Sequence, residues 1–268
     1  MRRGYRPIER RPKFRRGLAV LLVLVLSLTI PAGASAALAA PPPQSGPKPQ
    51  PGPKPQPGPK PQLLLFHGGS FLFEDPLFQP SIVEKARAAG FVPHFVTYPL
   101  GDLPGAVRQA QAEATRLRQK FGLLRVYAYG ASAGGTLAAL LSGDGLVSAA
   151  VAKAPVSDLV SWEWPLQEYG AAYWEEIGVD LAARYRLSPL RRPAISPLLV
   201  YQGRGDAVVP PAMNEAFAAK FERVHLWLVP GGHTTERARP WLIDRSLHWL
   251  ARTAALQARA AQRNTPLP

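Results

Sequence analysis

Cysteine is absent from the 268 residues, so the chain can form no disulfide and carries no thiol for lipid attachment. A chain of this length, 47% hydrophobic, is long enough to bury a core without such staples, and export to an oxidising compartment stays compatible with their absence. A second absence is a cluster of histidines and carboxylates at metal-ligand spacing, and a third is a phosphate-binding glycine loop. No metal or organic cofactor is therefore expected. Acidic residues are also scarce, 18 against 32 Lys and Arg, for a net charge of +14. That balance would suggest a polyanionic partner if it were spread evenly. It is not: residues 1–61 hold eleven basic residues and one acidic, leaving 21 against 17 over 62–268. The basicity belongs mainly to the leader, and nucleic acid is not an expected partner.

The longest apolar run, "LAVLLVLVLSLTI" (18–30), has 13 residues. As a helix it would rise only about 20 Å against a hydrocarbon core of about 30 Å. It follows the cationic stretch "MRRGYRPIERRPKFRRG" and precedes the small-residue sites "ASA" and "ALA". Residues 1–39 therefore read as an export signal, cleaved after Ala36 or Ala39, which places the mature protein outside the cytoplasm as a secreted, periplasmic or envelope protein. Residues 41–61, "PPPQSGPKPQPGPKPQPGPKP", contain 11 prolines in 21 positions and nearly repeat "GPKPQP". Proline fixes φ and removes amide donors, so the stretch 40–61 is expected to be a solvated polyproline II linker. It would tether the domain, and Lys48, Lys54 and Lys60 could hold an anionic polymer of the cell envelope. Residues 259–268 are expected to be a disordered tail.

From residue 62 onward, short apolar runs alternate with helical periodicity, the pattern of a parallel sheet covered on both faces. "QLLLFHG", "FVPHFVTY", "LRVYAYG", "VSAAVAKAP", "PLLVYQG" and "VHLWLVPGG" read as strands. Helices are expected over 80–89, 103–120, 133–142, somewhere within 163–184, over 211–221 and over roughly 237–258. The expectation is an α/β domain over 62–258 with a ligand site at the carboxyl edge of its strands.

Four motifs fall at that edge. Gly130-Ala131-Ser132-Ala133-Gly134 is a G-x-S-x-G pattern between strand and helix, where small neighbours let a strained turn expose the serine hydroxyl. By itself it is common in a chain so rich in glycine. "FHGGSF" (66–71) ends the first strand in glycines that would let backbone N–H groups approach a reacting carbonyl oxygen. "YQGRGDAVVP" sets Asp206 after a strand, where an N-cap is the alternative reading. "LVPGGHTTE" puts His233 in a loop after the last strand. His94, His225 and His248 lie within elements, and His67 belongs to the glycine turn. The order of loop, serine, aspartate and histidine makes the set coherent. His233 would take the Ser132 proton, and Asp206 would orient the imidazole and stabilise its charged form. Asp158, at the end of the fourth strand, is the reserve acid.

With these motifs, residues 62 to about 252 resemble the α/β-hydrolase superfamily, and within it the esterase and lipase group similar to hormone-sensitive lipase. "HGGSF", "YGASAGG", "GRGDAVVP", "PGGH" and "LSPL" (187–190) carry the resemblance. It implies a three-layer α/β fold and a serine hydrolase acting on small-molecule carboxylic esters, with the N–H groups of Gly69, Ser70 and Ala133 forming an oxyanion hole; the leader would make that hydrolase an exported one. Ser70 and Ala131 stand where that group usually has glycine and aspartate. The linker runs straight into "LLLFHGG", so the sheet should be shortened to about six parallel strands, without the usual N-terminal ones. Amide hydrolysis by the same triad, and a catalytically silent binding domain, are the alternatives. For the substrate pocket, Phe71, Trp162, Trp164 and Tyr173 are the candidates, since aromatics pair large apolar area with low entropy cost; Leu72, Phe73, Tyr169 and Trp174 are further ones. Packing of the aromatic stretch onto the sheet is equally compatible with its composition.

Overall fold

The structure, a computed structural model, describes residues 59–75 and 79–263. The expected signal (1–39), nearly all of the Pro-rich linker with Lys48 and Lys54, and the last five residues of the expected tail lie outside the described residues. Lys60 is described and exposed.

Among the described residues, six strands, all parallel, form one sheet in the order β2-β1-β3-β4-β5-β6. They are β1 (Gln62–Phe66), β2 (Val92–Phe95), β3 (Val126–Ala131), β4 (Ala149–Lys153), β5 (Leu198–Gly203) and β6 (Val224–Val229). The sheet is the shortened parallel one expected, and each strand falls within its expected segment except β3, which runs one residue further, to Ala131. The winding reverses between β1 and β3: the chain leaves β1 for β2 on one side and returns to β3 on the other. Such a switch point leaves a crevice at the carboxyl ends of the two strands.

The strands read as continuous apolar runs because helices cover both faces. Leu64, Phe66, Ala128, Ala150 and Val200 point into one core, while Leu63, Leu65, Tyr129, Val151 and Tyr201 point into the other, all at most 1% exposed. The first core is covered by α2 (Leu103–Phe121), α3 (Ala133–Gly143) and α7 (Pro211–Lys220), the second by α1 (Gln79–Ala88) and α9 (Trp241–Arg263). Helix α2 shows why these segments are helical. Asp102 caps it by accepting the Gly105 N–H at 2.7 Å, Leu103, Ala106, Val107, Ala110, Ala114 and Leu117 form a buried stripe at helical spacing, and Gly122, with φ of 82°, ends it. Every residue of α3 is buried, which its small side chains permit.

The aromatic-rich stretch after β4, where helix is expected somewhere within 163–184, forms three short helices: α4 (Trp164–Glu168), α5 (Tyr173–Glu176) and α6 (Leu181–Leu187). The last expected helix is broken near Pro240 into α8 (Thr235–Ala238) and α9. Proline starts a helix readily and cannot continue one. Helix α9 then runs on to Arg263, so residues 259–263 of the expected tail are helical.

Candidate active site

Ser132 sits at the junction of β3 and α3 with φ of 53° and ψ of −116°, a conformation that strains any residue with a side chain. The flanking glycines explain how the turn closes. A Cβ at Gly130 would fall on the Gly134 carbonyl, and one at Gly134 would fall on the carbonyls of Phe66 and His67. Backbone packs where side chains would stand, and the Ser132 N–H is tied to the Lys153 carbonyl of β4 at 2.7 Å. Among the described residues, the non-glycine positions with positive φ are Ser70, Phe71, Ser132 and Ala154, all just beyond the carboxyl ends of β1, β3 and β4. Strain of about 1–3 kcal/mol at each such position persists only where surrounding structure overrides it.

The fold brings Ser132, His233 and Asp206 together from three separate loops. Ser132 Oγ lies 3.0 Å from His233 Nε2, and His233 Nδ1 lies 2.9 Å from Asp206 Oδ2. Asp206 is buried and orients through its other oxygen, which accepts the N–H groups of Val208 and Val209 at 3.0 and 2.9 Å. Gln202 also donates to Asp206, at 3.2 Å. Burial by itself would raise the Asp206 carboxyl, but the hydrogen bond and charge of His233 and the donors from Val209 and Gln202 outweigh it, so the group is held below the usual carboxylate range. Burial lowers His233 below its usual value, opposed by the Asp206 hydrogen bond and reinforced by the Lys153 charge. The imidazole is thus neutral at pH 7, with Nδ1–H donating to Asp206 and Nε2 free to accept the Ser132 hydroxyl proton.

The glycine turn after β1 lies against this serine: a Cβ on Gly68 would meet Ser132 Cβ at 3.5 Å. Among the described residues, the backbone N–H groups of Gly69, Ser70 and Ala133 have no hydrogen-bond acceptor. His67 shapes the turn from below, fully buried, with Nδ1–H donating to the Gly68 carbonyl at 2.6 Å and its ring stacked on Tyr98 at 4.1 Å. Tyr98 in turn donates to the His67 carbonyl at 2.8 Å.

A cleft of about 450 Å³ opens over Ser132 and His233. Its aromatic wall is made by Phe73, Trp164 and Tyr169. Of the four pocket candidates, Trp164 is at the surface of the cleft, whereas Phe71, Trp162 and Tyr173 are not: they are at most 2% exposed and form the core behind it. Polar groups hold them there. The Trp162 indole N–H donates to the Val208 carbonyl at 2.7 Å, and the Tyr173 hydroxyl donates to the Ser70 carbonyl at 2.9 Å. Composition pointed to the right segment without saying which rings face inward, because irregular short helices have no sustained period to read. Asp158 is committed elsewhere, accepting from the Val160 N–H and the Ser161 hydroxyl and pairing with Arg191 at 3.5 Å. Lys153 and Glu236, which belong to none of the four motifs, also line the cleft. A lone charge closing the apolar strand "AAVAK" was the available signal.

The prolyl oligopeptidase family profile matches residues 109–255, more than half of the chain. The chain belongs to the prolyl oligopeptidase family. This serine hydrolase has the α/β-hydrolase fold, and solved structures share its architecture at low identity. An acetyl ester-xyloside bifunctional hydrolase from Caldicellulosiruptor lactoaceticus superposes with a TM-score of 0.61 at 17% identity, over 75% of this chain and 83% of that one. An esterase/lipase from an uncultured bacterium gives 0.62 at 20% identity over 73% and 77%. A thermophilic esterase of the planctomycete Thermogutta terrifontis, in a butyrate-bound form, gives 0.57 at 21% identity over 77% and 84%. A search of curated proteins finds no match.

Proposed function

We propose that the protein cleaves carboxylic esters through an acyl-enzyme on Ser132. The observation that carries the reading is the continuous chain from Ser132 Oγ through His233 to buried Asp206, at 3.0 and 2.9 Å, in the floor of a cleft with one aromatic wall. Neutral His233 accepts the Ser132 proton as Oγ attacks the ester carbonyl, and Asp206 stabilises the imidazolium so formed. The N–H groups of Gly69, Ser70 and Ala133 would receive the oxyanion, each such donor contributing about 3 kcal/mol to the tetrahedral state. His233 then protonates the leaving alcohol, and water, activated by the same base, releases the acid. Esterases among the structural neighbours, one of them holding butyrate, support esters with short acyl groups.

Amide cleavage by the same groups is the second reading, and the family match favours it. A nitrophenyl-ester series of graded chain length, run beside matched anilides on wild type and Ser132→Ala, separates the two. Ester turnover well above anilide turnover, abolished by the substitution, is the expected result. Comparable anilide turnover would move the assignment to peptidase. A wild type that neither turns over nor forms a fluorophosphonate adduct would make it a silent binding domain. We further propose that residues 1–39 direct export and that the Pro/Lys-rich linker holds the hydrolase at the cell envelope. Fractionation with N-terminal sequencing, and wall binding with and without 41–61, test these.

A further inference from the structure

We infer that Lys153 and Glu236 form a positioning pair that keeps His233 in register with Ser132. The inference rests on reading Ser132 and His233 as the reacting pair. Lys153 is the last residue of β4, and it touches both halves of the site. Its carbonyl accepts the Ser132 N–H at 2.7 Å, tying down the strained elbow. Its ammonium lies 3.3 Å from Glu236 Oε1, and Glu236 stands on α8, three residues beyond His233. The histidine loop is thus fastened to the same residue that holds the nucleophile.

The surroundings fit a fastening role. The Lys153 side chain is 5% exposed and the Glu236 side chain 20%. Among the described residues, Glu236 Oε2 is buried with no hydrogen-bond partner, and Lys153 is the ionic partner of this carboxylate. A buried ion pair is a poor source of net stability, because desolvation offsets most of the attraction. Val or Ala, as elsewhere in β4, would stabilise the strand as well, so the pair needs another reason to be present. Next to it, Ala154 holds a positive φ of 43°, with its N–H on the Tyr201 carbonyl at 2.9 Å. On the other side of the loop, the Thr235 hydroxyl donates to the Pro230 carbonyl at 2.8 Å and closes the turn around His233. The Tyr129 and Tyr201 hydroxyls of the same core, 2.8 Å apart, stay neutral because burial raises both.

The charged groups acting on His233 are Asp206 from the loop after β5, Lys153 from β4 and Glu236 from α8. Lys153 disfavours the imidazolium and Glu236 favours it, so removing each charge should move the titration of His233 in opposite directions. Loss of positioning should lower turnover in both cases. A residue that only stabilised the fold would do neither.

The test uses the full chain with a nitrophenyl ester, comparing Lys153→Met, Glu236→Gln, the double variant Lys153→Met/Glu236→Leu, and Lys153→Arg. Each single change is expected to lower plateau kcat about tenfold or more while KM moves less than about threefold. The acid limb of the pH profile should rise in Lys153→Met and fall in Glu236→Gln. The double variant, which leaves no uncompensated charge, should be no worse than the poorer single, and Lys153→Arg should recover most of kcat. Additive losses in the double variant, unchanged kcat in the singles, or acid limbs moving the same way would overturn the pair. If Lys153→Met does not fold, Glu236→Gln and the double variant decide by the same criteria. A wild type lacking both turnover and fluorophosphonate labelling would instead overturn the proposed function, so the two failures are distinct.

Discussion

The hydroxyl of Tyr173 donates to the carbonyl oxygen of Ser70 at 2.9 Å, across 103 positions of sequence. This bond ties the aromatic segment to the glycine turn beside Ser132. Ser70 and Phe71 both hold positive φ there, 54° and 63°, so the turn needs outside support. Gly101 adds to it by donating to the Phe71 carbonyl at 2.8 Å.

Removing that hydroxyl in Tyr173→Phe leaves the packing of the ring intact and the Ser70 carbonyl unpaired. Loss of about 1–3 kcal/mol in stability is expected, measured by denaturant unfolding. Because the Ser70 N–H is a proposed oxyanion donor, kcat should also fall several-fold with little change in KM. Unchanged kcat would separate the aromatic clamp from catalysis.

Asp206→Asn keeps an acceptor for the N–H groups of Val208 and Val209, so the loop should hold. The amide can no longer orient the Nδ1–H tautomer or balance an imidazolium. A drop of about 10⁴ in kcat is expected from the corresponding substitution in known triads, with a melting temperature close to wild type. Asp158→Asn should instead leave kcat near wild type and lower stability, since that carboxylate serves the turn at 158–161 and Arg191.

The pH profile follows from the direction of the His233 shift. Burial penalises the charged ring, and its value lies below the ordinary 6.5. The base is active only when neutral. So kcat/KM should stay level as pH falls through 7 and then decline about tenfold per pH unit below a midpoint under 6.5. A midpoint above 6.5 would mean that the charge of Asp206 outweighs burial.

The tryptophans at 162 and 164 are two positions apart and should behave differently. Trp164→Ala enlarges the cleft and should shift acyl-chain preference and KM while stability changes modestly. Trp162→Ala empties a core position and frees the Val208 carbonyl, so about 3–5 kcal/mol of destabilisation is expected. Thermal unfolding beside an ester-length series resolves the pair.

What the amino-acid sequence determined was the order of strands and helices and the turns that end them. Continuous apolar strands announce a sheet buried on both faces, and glycines before Ser132 and within "HGGS" mark where backbones must meet. These are local properties, readable within a dozen residues. Tertiary structure decided the rest. Whether Asp206 or Asp158 would face His233, whether Trp162 or Trp164 would reach the cleft, and whether Lys153 would find Glu236 all depend on which strand ends lie side by side. The parallel order β3-β4-β5 sets Lys153 beside Ala131 and Tyr201 and brings residues 132, 206 and 233 to one edge. Such contacts join residues tens of positions apart, and no periodicity along the chain encodes them.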